Sequence, residues 1–214
     1  MQNLKASCKE RFAPAVFAVQ RLADESEKEQ IIIAVDGRCA SGKSTLGQYL
    51  QDLFDANLFH MDDFFLQRHQ RTEERLAEVG GNVDYERFQT EVLVPLLAGK
   101  DILYRRFDCK SMTITDGKWI KNRRITIIEG SYCGNAYFGD IYDLKIFTDI
   151  DSKSQLANIR NRNGEEKLQV FKERWIPKEE AYFEKFMIKE KSDIVIEWRK
   201  PFDGEREDDL YSNL

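Results

Sequence analysis

Gly37-Arg38-Cys39-Ala40-Ser41-Gly42-Lys43-Ser44-Thr45 fills the spacing G-x-x-x-x-G-K-[ST] at every fixed position. Glycine admits backbone conformations that other residues resist, so the N–H groups of this stretch, those of Gly37, Ala40, Ser41 and Gly42 among them, can turn inward onto phosphate oxygens. Lys43 would neutralise β- and γ-oxygens, Ser44 would offer a hydroxyl to Mg²⁺, and Thr45 would reach an α-phosphate. The pattern predicts a site for ATP with Mg²⁺. Cys39 reads as a small residue filling a variable loop position rather than as a redox thiol.

A bound triphosphate does not name the group that receives its phosphoryl, so the acceptor side must be read from other residues. His60-Met61-Asp62-Asp63-Phe64-Phe65 follows a short apolar block and brings two carboxylates to the C-terminal edge of a parallel sheet, where ligands bind in open α/β folds. Asp62 is the candidate base that orients and deprotonates a hydroxyl. Asp63 either assists Mg²⁺ or caps the next helix, and His60 reads as structural. Glu129, at the end of Ile125-Thr126-Ile127-Ile128, is a Walker-B-like acid for a water-mediated Mg²⁺ contact. The N-K-x-D sequence of regulatory GTPases is missing, which argues against that class.

These residues need a scaffold with phosphate loops at strand ends. Ile31 to Val35 is a continuous apolar block of the kind found in strands buried on both faces. Similar blocks recur at Ala56 to Met61, Ile125 to Ile128, Leu144 to Phe147 and Ile194 to Ile196, separated by stretches with helical spacing. That alternation predicts an α/β, three-layer P-loop NTPase-type fold with a mostly parallel five-stranded sheet. A leading helix carries Leu4, Cys8, Ala15, Val16, Val19 and Leu22 as its core stripe, and a second helix covers Val83 to Leu97, with Pro95 as a point of kinking. A third covers Glu165 to Lys189 despite Pro177. Between Ile102 and Arg124 apolar and polar residues mix, and Asp116-Gly117 is a favoured turn, so an antiparallel hairpin flap is expected there.

With 214 residues, 42% hydrophobic and 33% charged, the chain suits one globular domain, and its net charge of −5 offers no global field for nucleic acid or anionic lipid. Four cysteines without a C-x-x-C pair fit a reducing cytoplasm. The stretch Phe12 to Val19 follows Lys9-Glu10-Arg11, contains Pro14 and lacks a cleavage site, so it reads as helix rather than leader, and no membrane span is expected. A homo-oligomer is allowed.

Taken with these motifs, the chain resembles the uridine kinase and phosphoribulokinase family of P-loop kinases over most of its length, and more closely its uridine-kinase-like bacterial members. The resemblance rests on Gly37 to Thr45 and on Met61-Asp62-Asp63-Phe64-Phe65, where the family has a Met-Asp-Ser-Phe-Tyr type sequence. It rests also on Asn82-Val83-Asp84-Tyr85, where nucleoside kinases have Asn-Phe-Asp-His, and on Glu129-Gly130. By that likeness Asp62 is the base and Asp84 a ligand of ribose hydroxyls. Phe65, Phe107 and Asp108 would line the acceptor pocket beside the flap, and Arg160 and Arg162 would be the arginines of a mobile lid. The departure is in the flap, where Phe107-Asp108-Cys109-Lys110-Ser111-Met112 lacks the His that reads the pyrimidine in uridine kinases.

The resulting expectation is a single domain over residues 1–214, with a helical extension at 1–29, a flap at 100–124, a lid at 160–166 and an acidic tail at 203–214. Its function would be cytoplasmic, ATP- and Mg²⁺-dependent phosphoryl transfer to a small, nucleoside-like hydroxyl acceptor. Lys43, Arg160 and Arg162 would stabilise γ-phosphoryl charge. A pantothenate- or sugar-phosphate-directed kinase, or a non-catalytic nucleotide-dependent regulatory module, are the alternatives. Arg68, Arg71 and Arg75 form a positive cluster that either serves an anionic acceptor or is a solvated helix face.

Overall fold

The computed structural model describes residues 6–197, so Leu4 and the tail at 203–214 lie outside the described residues. A continuous apolar strand cannot leave either face in water, and β1 (Ile31–Gly37), whose seven residues are all buried, takes the centre of the sheet. It pairs in parallel with β7 (Ile125–Glu129) on one side and β8 (Leu144–Asp149) on the other. β2 (Asn57–His60) and β9 (Ile194–Glu197) complete the order β2-β7-β1-β8-β9, parallel throughout. Such an arrangement needs crossover segments on both faces, and the period-two alternation along β1 shows what they cover.

Ile31, Ile33 and Val35 face α1 (Ala6–Glu25) and α2 (Lys43–Phe54), packing with Phe12, Ala15, Val19, Leu46 and Leu50. Ile32 and Ala34 face the opposite layer, built on Phe88, Val92, Leu96, Tyr182 and Phe183. Between β2 and that layer the chain makes a 3₁₀ turn at Met61–Asp63, a second at Arg68–Gln70, and the short helix α3 (Glu73–Ala77).

Beyond α1, which carries Pro14, the two later proline-containing helices adjust in the same way. The helix expected over Val83 to Leu97 is α4 (Tyr85–Phe88), a π turn at Gln89–Leu93, and α5 (Val94–Leu97) holding Pro95. In the later helix, α7 (Glu165–Val170) leads through a π turn at Phe171–Trp175 into α8 (Ile176–Phe186), which holds Pro177. Proline has no N–H for the ladder, and the wider turn just before it shifts the register of bonding, so neither helix breaks. α8 ends at Phe186, short of the expected Lys189, where Met187 takes a left-handed conformation with φ 52°.

The flap is antiparallel, as expected, but its turn lies elsewhere. β3 (Ile102–Tyr104) pairs with β6 (Lys118–Ile120), and β4 (Phe107–Asp108) with β5 (Thr113–Ile114). The tip is therefore residues 109–112, and Asp116-Gly117 joins β5 to β6, two strands that do not pair with each other. The Asp108 carboxylate decides this by accepting from the Lys110 N–H (2.9 Å) and the Ser111 hydroxyl (2.9 Å), a local turn stronger than the Asp-Gly signal. Helix α6 (Ser152–Asn163) follows β8 and is capped by Asp151, which accepts from the Ser154 N–H. Among the described residues no helix is long and apolar enough to cross a membrane.

Candidate active site

The phosphate loop leaves the tip of β1 and runs straight into α2. Gly37 opens it at φ 137°, where an added Cβ would lie 2.1 Å from the Thr148 carbonyl oxygen on β8, so no side chain fits. Ser41 ties the loop to the same neighbour, its hydroxyl 2.5 Å from the Thr148 hydroxyl. Ala40 is held in the left-handed region at φ 60°, and Gly42 at φ 99°. Lys43 reaches back over the loop, its Nζ donating to the carbonyls of Gly37 (2.8 Å) and Arg38 (2.9 Å). Thr45 occupies the first turn of α2, whose N-terminus gives the loop a favourable field for anions.

Support from below comes from α8, which sequence reasoning did not connect to the site. Glu179, 5% exposed, accepts from the Cys39 N–H (3.0 Å) and from the Ser131 hydroxyl (2.5 Å). Its neighbour Glu180 pairs with Arg38, which also donates to Asp149 at 2.8 Å. Nothing local in the helical pattern singles out Glu179, because its meaning depends on a loop more than a hundred residues away. Cys39 is buried, and that burial, then the Glu179 charge, push its thiol up to about 12, which makes it inert, as the reading of a filler residue requires.

β2 and β7 are neighbours with His60 opposite Glu129, so the acids of both strand tips meet beside Ser44. The Ser44 hydroxyl donates to Glu129 Oε1 at 3.2 Å, and His60 Nδ1 lies 2.5 Å from the same oxygen. Burial opposes charge on His60, but the hydrogen bond and charge of Glu129, with Asp63 and Asp62, outweigh it and raise its pKa. Glu129 is 4% exposed, and its Oε2 is buried without a hydrogen-bond partner. One hydroxyl and one carboxylate with an unsatisfied oxygen suit a hard cation that keeps most of its waters and arrives with phosphates. Ser44 and Glu129 therefore fit Mg²⁺. Among the described residues no cluster of three or more His, Cys, Asp or Glu could hold a metal ion without such help.

The two aspartates beyond β2 diverge. Asp63 turns to the flap and accepts from the Tyr104 hydroxyl at 2.6 Å, while its carbonyl accepts from Arg87 at 2.8 Å, so it is withdrawn from the Ser44–Glu129 pair. Asp62 makes no hydrogen bond to any described residue and keeps a solvent-facing side. Protein packed around it, then the charge on Glu129, push its carboxyl up to about 6, with Lys43 pulling the other way.

The expected acceptor residues are divided between site and scaffold. Asp84, 1% exposed, caps α4 by accepting from the Arg87 N–H at 3.0 Å, and Asp108 is spent on the flap turn. Phe65 bridges to Val83 behind the Asp62 turn, and Phe107 is buried at the base of the flap tip. Of the lid residues, Arg160 pairs with Glu165 at 2.6 Å and Arg162 donates to Asn163 at 2.9 Å, both exposed. Asn158, one turn before Arg162, donates to the Ala40 carbonyl at 3.1 Å, so α6 already rests on the phosphate loop.

No protein-family model matches the chain, and no curated protein matches its sequence. Solved structures do match. A candidate uridine kinase from Bacillus stearothermophilus superposes with a TM-score of 0.65 at 18% identity, covering 89% of this chain and 99% of that one. A candidate fructose transport system kinase from Silicibacter gives 0.67 at 21% identity over 88% of this chain and 98% of the other. The fold is that of the P-loop kinases. A D-glycerate 3-kinase from Cryptococcus neoformans shares the P-loop kinase fold as well, at a TM-score of 0.59 and 14% identity, covering 86% of this chain and 90% of that one.

Proposed function

We propose that the chain is an ATP-dependent kinase of a small hydroxylated metabolite, with Asp62 as its general base. The observation that carries this reading is an unpartnered carboxylate at the tip of β2, one strand from the Ser44–Glu129 pair and within the field of Lys43. The acceptor oxygen attacks the γ-phosphorus, the bond to the leaving ADP oxygen breaks, and the acceptor proton passes to an Asp62 carboxylate oxygen. The transition state is loose, so holding the hydroxyl in line matters more than basicity. Lys43 would shift from the loop carbonyls to β- and γ-oxygens, and the loop amides would hold the phosphate chain. Ser44 and Glu129 would hold Mg²⁺, which neutralises charge across the β- and γ-phosphates. Arg160 and Arg162 would reach the γ-phosphoryl by exchanging Glu165 and Asn163 for phosphate oxygens as α6 and α7 close.

Of the acceptor residues implied by the resemblance, Asp84 caps α4 through Oδ1 while its Oδ2 is buried without a hydrogen-bond partner, and Asp108 holds the flap turn. The base assignment is checked with Asp62→Asn, for which acceptor-stimulated ADP release should fall at least about 100-fold with the KM for ATP unchanged. Turnover within about tenfold of the parent would overturn it.

A further inference from the structure

Three arginines lie between Asp62 and Gly81, and the fold treats them differently. Arg75 is committed to structure, donating to the Val83 carbonyl (3.1 Å) and Glu86 (3.0 Å) and pairing with Glu78. Arg68 is exposed on the second 3₁₀ turn. Arg71 is anchored without being neutralised. Its Nε donates to the Leu66 carbonyl at 2.9 Å, and its guanidinium lies 5.8 Å from the centre of the Phe107 ring at the base of the flap tip. Among the described residues it has no acidic partner.

An arginine held at Nε and stacked on a ring keeps the N–H groups of both terminal nitrogens as a fork for an oxyanion. The base of the flap that carries Phe107 also reaches the Asp62–Asp63 turn, where Tyr104 donates to Asp63 at 2.6 Å and Arg87 bonds the carbonyls of both Arg105 and Asp63 at 2.8 Å. Cys109, two residues on, has its thiol raised by burial, with Arg71 acting one way and Asp108, Asp62 and Asp63 the other. Arg71, through Phe107, and the Asp62–Asp63 turn, through Tyr104, thus both meet the base of the flap, from the same segment that links β2 to α3. Asp84 Oδ1 caps α4 and Asp108 holds the flap turn, while the terminal N–H groups of Arg71 have no acceptor among the described residues.

From this we infer that the acceptor carries an oxyanion, carboxylate or phosphate, which the terminal N–H groups of Arg71 take while its hydroxyl faces Asp62. The inference rests on the kinase reading and narrows its substrate class. A neutral sugar or nucleoside would leave the exposed Arg71 fork to solvent and gain nothing from it, whereas an oxyanion would be held bidentately.

The test uses the full chain with ATP and Mg²⁺ and measures ADP release against three acceptor sets. These are hydroxy acids (D-glycerate, pantothenate), sugar phosphates (fructose 6-phosphate, ribose 5-phosphate) and neutral compounds (uridine, cytidine, fructose). One of the two anionic sets should stimulate release, and which one does distinguishes carboxylate from phosphate. With that acceptor, Arg71→Gln should raise its KM about 10- to 100-fold with a much smaller change in kcat, Arg71→Lys should recover part of the loss, and Arg68→Gln should change KM less than threefold. Stimulation by the neutral set alone, or an acceptor KM indifferent to Arg71→Gln, overturns the inference while leaving the kinase reading intact. Silence of all three sets at saturating concentrations overturns both.

Discussion

Ionising Asp62 at the tip of β2 is opposed by the protein around it and by Glu129, and the same environment that raises its pKa sets two measurable behaviours. A base must be unprotonated to accept the acceptor proton, so kcat/KM should climb with pH through about 6 and level off above it, being about tenfold lower at pH 5 than on the plateau. The sign for folding is the reverse. A carboxyl whose folded pKa lies above its unfolded value binds its proton more tightly when folded, so stability falls as pH rises from about 4 to about 6. Asp62→Asn should therefore unfold at a higher temperature than the parent at pH 8, by an increment on the order of 1 kcal/mol after discounting for solvent screening on its exposed side. Thermal unfolding at pH 8 and pH 4.5 checks this, with the difference shrinking at the lower pH. Glu179 shows the opposite economy: its charge is matched by a backbone N–H and a hydroxyl, so it fixes the loop without taking part in chemistry.

At the scale of elements, α6 and α7 are joined at one residue. Gly164 separates α6 from α7 at φ 80° and ψ 171°, a region essentially closed to residues with a Cβ, while nothing lies within 4 Å of where that Cβ would be. The cost of substitution there is one of backbone conformation alone. Gly164→Ala should destabilise by about 1–3 kcal/mol in denaturant unfolding, and Gly164→Asn should be no better, because asparagine eases only the left-handed helical region. If Asn rescued, the link would have to be left-handed helical rather than extended. The prolines make the complementary point. Pro95 and Pro177 each follow a π turn, so both helices continue, and α8 still delivers Glu179 and Glu180 to the phosphate loop.

For the molecule as a whole, the site depends on a sheet sandwiched between two separate apolar layers. Phe12 is fully buried against the face that α1 and α2 cover, far in sequence from the strands it shields. Phe12→Ala should cost about 3–5 kcal/mol, a large share of the stability of a domain this size, and lower the Tm by about 10 °C. A Tm shift under about 3 °C would show that α1 is not integral to the core.

Taken alone, the sequence was enough for what short-range chemistry dictates. A nine-residue loop with two obligatory glycines, a lysine and a hydroxyl leaves few conformations open, and apolar blocks without alternation leave few places except a doubly covered parallel sheet. Hence the positions of Gly37 to Thr45, Asp62 and Glu129 at the ends of parallel strands were legible from residue order, and so was the five-stranded core. The tertiary structure decided which distant groups engage the polar side chains. Asp63, Asp84 and Asp108 carry the same carboxylate as Asp62, but Tyr104, the α4 amides and the flap turn engage them, and Glu179 gains its task from a loop on the far side of the chain. Asp84 and Asp108 meet partners two or three residues away, but Asp63 and Glu179 meet theirs 41 and 140 residues away, and those long-range partners are assigned by proximity in space, which local pattern does not encode.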